Sequence, residues 1–137
     1  MLRFIRSWLL FTALVFPFCV HAEEQKRPYV MSRDGVPYAK VTGDFDLPPR
    51  QRALAVPSYP KKLARERIVG AAIVRYRVEK SGRTKDSVVV SASRDEFGAA
   101  ALEASKRSVY WPAEKSGNPV ECEIELLYRF GQPGAYP

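Results

Sequence analysis

Three glutamates at alternate positions, Glu121, Glu123 and Glu125, are the residues of this sequence whose spacing is best suited to chemistry. Alternate residues of an extended strand lie on one face, so these carboxylates would form a row suited to metal binding or acid–base catalysis. Arg75 and Arg77 alternate in the same way, and opposite charges on neighbouring strands form cross-strand pairs. We therefore interpret the glutamates first as a structural ladder on the surface. A charge-selective contact with a partner is the second interpretation, and a metal or catalytic site is the third.

The other reactive residue types do not indicate catalysis. The 137 residues include one histidine, His21, and two cysteines, Cys19 and Cys122. The sequence has no glycine-rich phosphate loop, and no nucleophile has a base at a typical spacing. Cys122 alternates with Ile124, which favours a small buried apolar residue over a reactive thiol. We predict that the chain is not an enzyme and has no catalytic residues, no metal ion and no cofactor.

Residues 1–22 have the pattern of a secretory signal peptide. Arg3 and Arg6 precede an apolar run, and small residues at positions −3 and −1 predict cleavage after Ala22. The run from Trp8 to Val20 is shorter than the roughly 20 residues that span a bilayer. An uncleaved inner-membrane anchor is the alternative. Lys and Arg number 22 against 15 Asp and Glu. Export to the periplasm argues against nucleic acid as the reason for this basic charge, so we expect a solvated surface.

Apolar and charged residues alternate along two runs, 70–78 and 120–130, which predicts that both are strands. The first strand carries the arginines and the second carries the glutamates. A second strand is predicted over 86–92, and an alanine-rich helix from Gly98 to about Ser108 separates it from the last strand. A short helix is predicted over 58–67. Because each element reverses the direction of the chain, the third strand (120–130) runs antiparallel to the first (70–78) and lies beside it. With the second strand (86–92) on the other side of the first, the strand order is 2-1-3. We predict an α+β fold in which a three-stranded antiparallel sheet packs on one main helix.

The part of the chain that precedes these elements contains several prolines. Runs over 29–31 and 36–41 flank Asp34-Gly35, which is a hairpin signal, and Pro37 would confine the second run to a sheet edge. We interpret this part as a marginal hairpin or an extended arm. The predicted organisation is a signal peptide at 1–22, an arm or linker at 23–56, a folded domain at 57–131 and a loose tail at 132–137.

The order of short motifs along 57–131 resembles the C-terminal domain of the energy transducer TonB. The matching pieces are Tyr59-Pro60, Ile68-Val69-Gly70, Ser81-Gly82-Arg83, Ala101-Leu102, Tyr110-Trp111-Pro112 and Gly117-Asn118-Pro119-Val120. The sequence departs from the family at Ser105 and Ser108, where the family usually has an apolar residue and a tryptophan. It also lacks the family's membrane helix with a Ser-x-x-x-His pair and its long proline-rich spacer. The resemblance therefore covers the binding domain and not the connection to an energising complex.

This resemblance implies a periplasmic module that binds a protein partner by β-strand addition, with a role in TonB-dependent outer-membrane transport. Members of the family bind a short segment of an outer-membrane receptor at the open edge of the last strand of the domain. The implied partner-binding residues are Tyr59, Pro60, Val120, Glu121, Glu123, Glu125, Leu127 and Arg129. The alternative is a structural protein of the envelope that transduces no energy, whose edge pairs in a homodimer or is covered by its own arm. Neither hypothesis involves nucleic acid or a small-molecule substrate.

Overall fold

The computed structural model describes residues 29–33 and 36–131. The predicted signal peptide and the predicted tail lie outside the described residues. The elements are β1 (Tyr29–Arg33), β2 (Val36–Thr42), β3 (Arg50–Ala53), α1 (Lys61–Arg65), β4 (Gly70–Val78), β5 (Thr84–Ala92), α2 (Asp95–Arg107), β6 (Val109–Trp111), β7 (Ala113–Lys115), β8 (Asn118–Val120) and β9 (Cys122–Phe130). Within this part of the chain, no helix is both long enough and apolar enough to cross a bilayer.

The main sheet has five strands in the order β1-β2-β9-β4-β5, and all neighbouring strands are antiparallel. Its β5-β4-β9 part is the predicted order 2-1-3, which is confirmed. The predicted total of three strands is wrong, because the arm folds as a β1–β2 hairpin and extends the sheet beyond β9. Ala39 and Val41 explain this addition, since they alternate along β2 and are both buried in the core. Apolar burial of this kind drives the hairpin onto the sheet.

The core lies between the inner face of the sheet and α2. β4 and β9 pair along their whole length, from Gly70 opposite Phe130 to Val78 opposite Cys122, and alternate residues of both strands are buried. The helix covers this face with small residues and Phe97, whose ring stacks on Phe130 at 4.4 Å between centroids. Gly70 allows the approach, because a Cβ there would lie 2.3 Å from the Phe97 ring.

The short strands were not predicted, and one of them changes the boundary of the last strand. Val120 ends β8 and pairs with Ala113 in the β7–β8 hairpin, so the last strand begins at Cys122 and not at position 120. Ser116 and Gly117 both have positive φ between β7 and β8, which is the geometry of a tight hairpin turn. β3, which lies in the predicted linker, pairs with β6.

Candidate functional site

The candidate site is the edge of β9 that faces away from β4. β2 pairs with β9 at only four positions, from Ala39 opposite Leu126 to Thr42 opposite Glu123. The next residues of β9, 127–130, have β4 on one side and no strand on the other among the described residues. One half of the edge is therefore covered by the arm, and the other half presents unpaired main-chain groups. Such groups are a template for an additional strand.

Pro37 lies at the point where β2 leaves β9. The β2–β9 register would place Pro37 opposite Tyr128 if it continued, but Pro37 instead pairs with Ser32 of β1 next to an irregularity in that ladder. Proline has no N–H to donate to a ladder. The expectation that this proline would confine β2 to an edge is therefore wrong for the strand as a whole. The expectation holds only at Pro37 itself, where β2 pairs with β1 alone among the described strands. Over Ala39–Thr42, β2 lies between β1 and β9.

The covered half of the edge is fixed by side chains as well as by the main chain. Val41 is completely buried, and Ala39 and Phe45 are also buried, all within the core cluster. Gly43 brings the chain close to β9, since a Cβ at that position would lie 3.2 Å from the Cβ of Cys122. Burial of a valine side chain contributes about 1.5–3 kcal/mol. Release of the arm would therefore expose these apolar side chains to water.

β5, an edge strand of the five-stranded sheet, has a less regular ladder than β9. β5 exposes Val88, Val89 and Val90, but its ladder with β4 is interrupted twice. Asp86, at one of these interruptions, has a φ of 53°. Bulges twist an edge away from a regular partner strand. β9, in contrast, pairs with β4 along an uninterrupted ladder.

The glutamate row on the outer face of β9 forms a ladder with an arginine of β4. The Arg75 guanidinium donates to Glu125 at 2.7 and 2.9 Å, and its Nε lies 3.6 Å from Glu123. The hydrogen bond and the charge of Glu125 raise the pKa of Arg75. Arg77, in contrast, contacts Asp86 of β5 at 3.3 Å. The structural ladder is thus confirmed for Arg75, while Arg77 pairs with a different strand. Such half-exposed pairs contribute little to stability, because solvent screens their charges.

The remaining predicted partner-binding residues lie at the two ends of β9. Glu121 is exposed between β8 and β9, and Leu127 and Arg129 lie on the open half of the edge. Tyr59 lies near the C-terminal end of β9. The centroid of the Tyr59 ring is 6.1 Å from that of Phe130, and the Tyr59 hydroxyl donates to the Ile68 carbonyl at 2.6 Å. Pro60 precedes α1 as its N-cap, and Val120 belongs to β8. The structure thus separates Val120 from the others and gives Tyr59 a structural role at the open end.

Buried hydroxyl and thiol groups beneath β9 belong to the core. Cys122 is buried and free, and burial raises the pKa of its thiol to about 11, which confirms its interpretation as a small apolar residue. The hydroxyls of Tyr76 and Tyr110 lie 2.5 Å apart. Burial raises the pKa of Tyr76 well above its ordinary value and that of Tyr128 to about 12. Over residues 29–33 and 36–131, no three His, Cys, Asp or Glu side chains are grouped to hold a metal ion.

The family model of the Gram-negative bacterial TonB protein C-terminal matches residues 55–131. The chain belongs to this family. The TonB C-terminal domain is a periplasmic-type, non-enzymatic interaction domain that functions in TonB-dependent transport. Among solved structures, the fold is similar to the solution NMR structure of the Pseudomonas aeruginosa TonB CTD, with a TM-score of 0.53 and 18% identity over 65% of this chain and 90% of that chain. No curated protein matches the sequence.

The family match begins at residue 55, after the first three strands. β1, β2 and β3 all precede residue 55, whereas β4, β5, α2 and β9 lie inside the matched residues. The strand that covers the β9 edge therefore belongs to the part of this chain outside the TonB C-terminal match.

Proposed function

We propose that this chain is a periplasmic protein-binding module in which β9 binds an extended segment of a partner as an added strand, in the service of TonB-dependent outer-membrane transport. The partner is a short segment of an outer-membrane receptor. The observation that carries this proposal is the β9 edge, which the arm covers over 123–126 and which has no neighbouring strand over 127–130 among the described residues. Main-chain hydrogen bonds supply most of the affinity in this mode of binding, and alternate side chains supply the specificity.

In this proposal, the residues along β9 have separate roles. Leu127 and Arg129 meet the partner first, because their part of the edge is open. Glu123 and Glu125 carry charge beside the covered part and favour a partner with basic residues at the facing positions. The arm is then a competitor of the partner for the same main-chain groups.

A second function is favoured by the same pairing of β2 with β9. If the arm stays in place, the chain is a structural or interaction protein of the envelope that keeps the family fold without binding a receptor segment. Pairing of two β9 edges in a homodimer would also require displacement of β2 from Glu123–Leu126. The two functions therefore differ in one measurable respect, which is whether the arm leaves β9.

A reversible disulfide between β2 and β9 tests this difference. Lys40 and Glu125 lie directly opposite each other in the ladder, and opposed Cα atoms about 4.5–5.5 Å apart are within disulfide range. A Lys40→Cys, Glu125→Cys variant, with Cys19→Ser to remove a competing thiol, would lock the arm when oxidised. Cys122 is buried and does not compete. The reduced form of the same variant is the matched control.

The readout is the binding of fluorescent synthetic peptides that cover the N-terminal segments of outer-membrane receptors. We expect a peptide to bind to the reduced variant and to lose at least tenfold in affinity when the disulfide forms. Equal binding in both forms would contradict strand addition at the covered edge. If no receptor peptide binds to either form or to a variant that lacks residues 23–43, the structural function is the correct one.

A further inference from the structure

A basic cavity at the C-terminal end of α2 is not explained by strand addition. It has a volume of about 750 Å³ and is open to solvent. Three distant parts of the chain supply its four cationic residues, which are Arg52, Arg83, Lys106 and Arg107. Ser81, Thr84 and Ser108 also line it, and the lining contains no carboxylate.

The fold fixes the position of these cations. Gly82, with a φ of 85°, brings the β4–β5 turn against β6, and its carbonyl accepts a hydrogen bond from the Tyr110 N–H at 2.8 Å. Thr84 donates its hydroxyl proton to the Ser105 carbonyl at 2.7 Å, which ties β5 to the end of the helix. The guanidinium of Arg52 lies 4.7 Å from the centre of the Trp111 ring. The cavity is thus built by packed elements.

Glu103 partly compensates the two cations at the end of the helix: its charge acts on Lys106 and Arg107, and the Arg107 Nε donates to its carbonyl at 3.3 Å. Lys106 pairs with Glu103 at 2.8 Å. Among the described residues, no salt bridge links Arg52, Arg83 or Arg107 to a carboxylate. The arginines on the outer face of β4, in contrast, each have a carboxylate partner. The negative end of the α2 dipole opposes an anion here, but it amounts to about half an elementary charge and is smaller than the charge of the three arginines.

We propose that this cavity binds a phosphate group of an anionic ligand. Three arginines line this one concave space, and guanidinium groups bind phosphate oxygens through paired N–H donors. The volume exceeds that of a free phosphate ion and lies in the range of small-molecule sites. A lipid headgroup and a soluble phosphate ester share this chemistry, and the site is separate from the β9 edge.

Inorganic pyrophosphate and lipid vesicles are the probes for this site. Titration of the full ¹⁵N-labelled chain with pyrophosphate should give saturable amide shifts around Arg83 and Arg107. An Arg83→Gln, Arg107→Gln variant should raise the dissociation constant at least tenfold. Arg77→Gln is the matched control, because it removes a positive charge from an exposed arginine outside the cavity, and we expect it to change the constant less than twofold. Added salt should weaken binding in the wild type.

Co-sedimentation with vesicles distinguishes the source of the phosphate. Binding to phosphatidylglycerol vesicles and not to phosphatidylcholine vesicles, lost in the double variant, would support a lipid headgroup as the ligand. Pyrophosphate binding without vesicle binding would support a soluble phosphate ester. Absence of binding to both probes, or an equal loss of pyrophosphate affinity in Arg77→Gln, would overturn the proposal, since the charge would then act without a defined site.

Discussion

The truncation of Val41 to alanine should loosen the arm without unfolding the domain. Val41 is completely buried on β2, whereas its neighbour Lys40 is exposed on the same strand. The substitution removes two buried carbon atoms at about 0.8 kcal/mol each, and the cavity it leaves adds to the cost, for a total of about 2 kcal/mol. If the arm opens as a local unit, this change increases the open population roughly 30-fold. Lys40→Ala is the matched control, because it removes no buried surface.

Amide hydrogen exchange measures this opening. In Val41→Ala, the amides of β2 and the β9 amides that it covers, within Glu123–Leu126, should exchange roughly 30-fold faster than in the wild type. The amides shared by β4 and β5 should keep their rates, and Lys40→Ala should leave both groups unchanged. The apparent affinity for a strand-adding peptide should rise in Val41→Ala, since a larger fraction of molecules is competent to bind.

Two results would refute this reasoning. Equal acceleration of the β2 amides and the β4–β5 amides would show that the arm and the domain open only together. The β9 edge would then be uncovered only by global unfolding. Unchanged exchange in Val41→Ala would show that main-chain pairing over Ala39–Thr42 holds the arm without the buried side chain.

Three further predictions follow from the core and the surface. Gly70→Ala should lower the free energy of unfolding by about 1–3 kcal/mol in urea titrations, because its Cβ would lie 2.3 Å from Phe97; a stability equal to that of the wild type would contradict the close approach. Arg75→Ala should leave the urea midpoint close to that of the wild type, because its ion pairs are solvated, and a marked decrease would show that the ladder is essential. Stability should fall as the pH rises from 10 to 12, because unfolded tyrosine loses its proton near pH 10 while the pKa of folded Tyr128 is about 12. The loss should approach about 2–3 kcal/mol for this group, and Tyr128→Phe should make the fall shallower in urea titrations at each pH.

The central part of the sheet could be predicted from the sequence because its strands alternate strongly. Burial on one face of β4 and β9 requires period-two patterning, and the direction of each element then determines the order. The short strands have no such pattern. β3 contains Arg50-Gln51-Arg52-Ala53, and its extended form depends on pairing with β6. Tertiary pairing of this kind leaves little trace in local sequence.

The candidate site could be predicted only as a set of alternatives. The identity of β9 as the available edge followed from the strand order, but main-chain pairing is almost independent of side chains. Whether β2 covers that edge was therefore left open by the sequence. The phosphate cavity could not be predicted at all, because Arg52, Arg83 and Arg107 become neighbours only when β3, the β4–β5 turn and α2 meet.

The early end of the β2–β9 ladder at Pro37 has a kinetic consequence. An incoming strand can pair with residues 127–130 while the arm is still seated on 123–126, and it can then advance one residue at a time as β2 retreats. In the proposed strand addition, residues 127–130 would make the first contact with the partner, which would then replace the arm one residue pair at a time. The rate of partner capture would then rise with partner concentration and would not be limited by spontaneous departure of the arm. If β2 also paired with residues 127–130, a partner could bind to β9 only after β2 had dissociated.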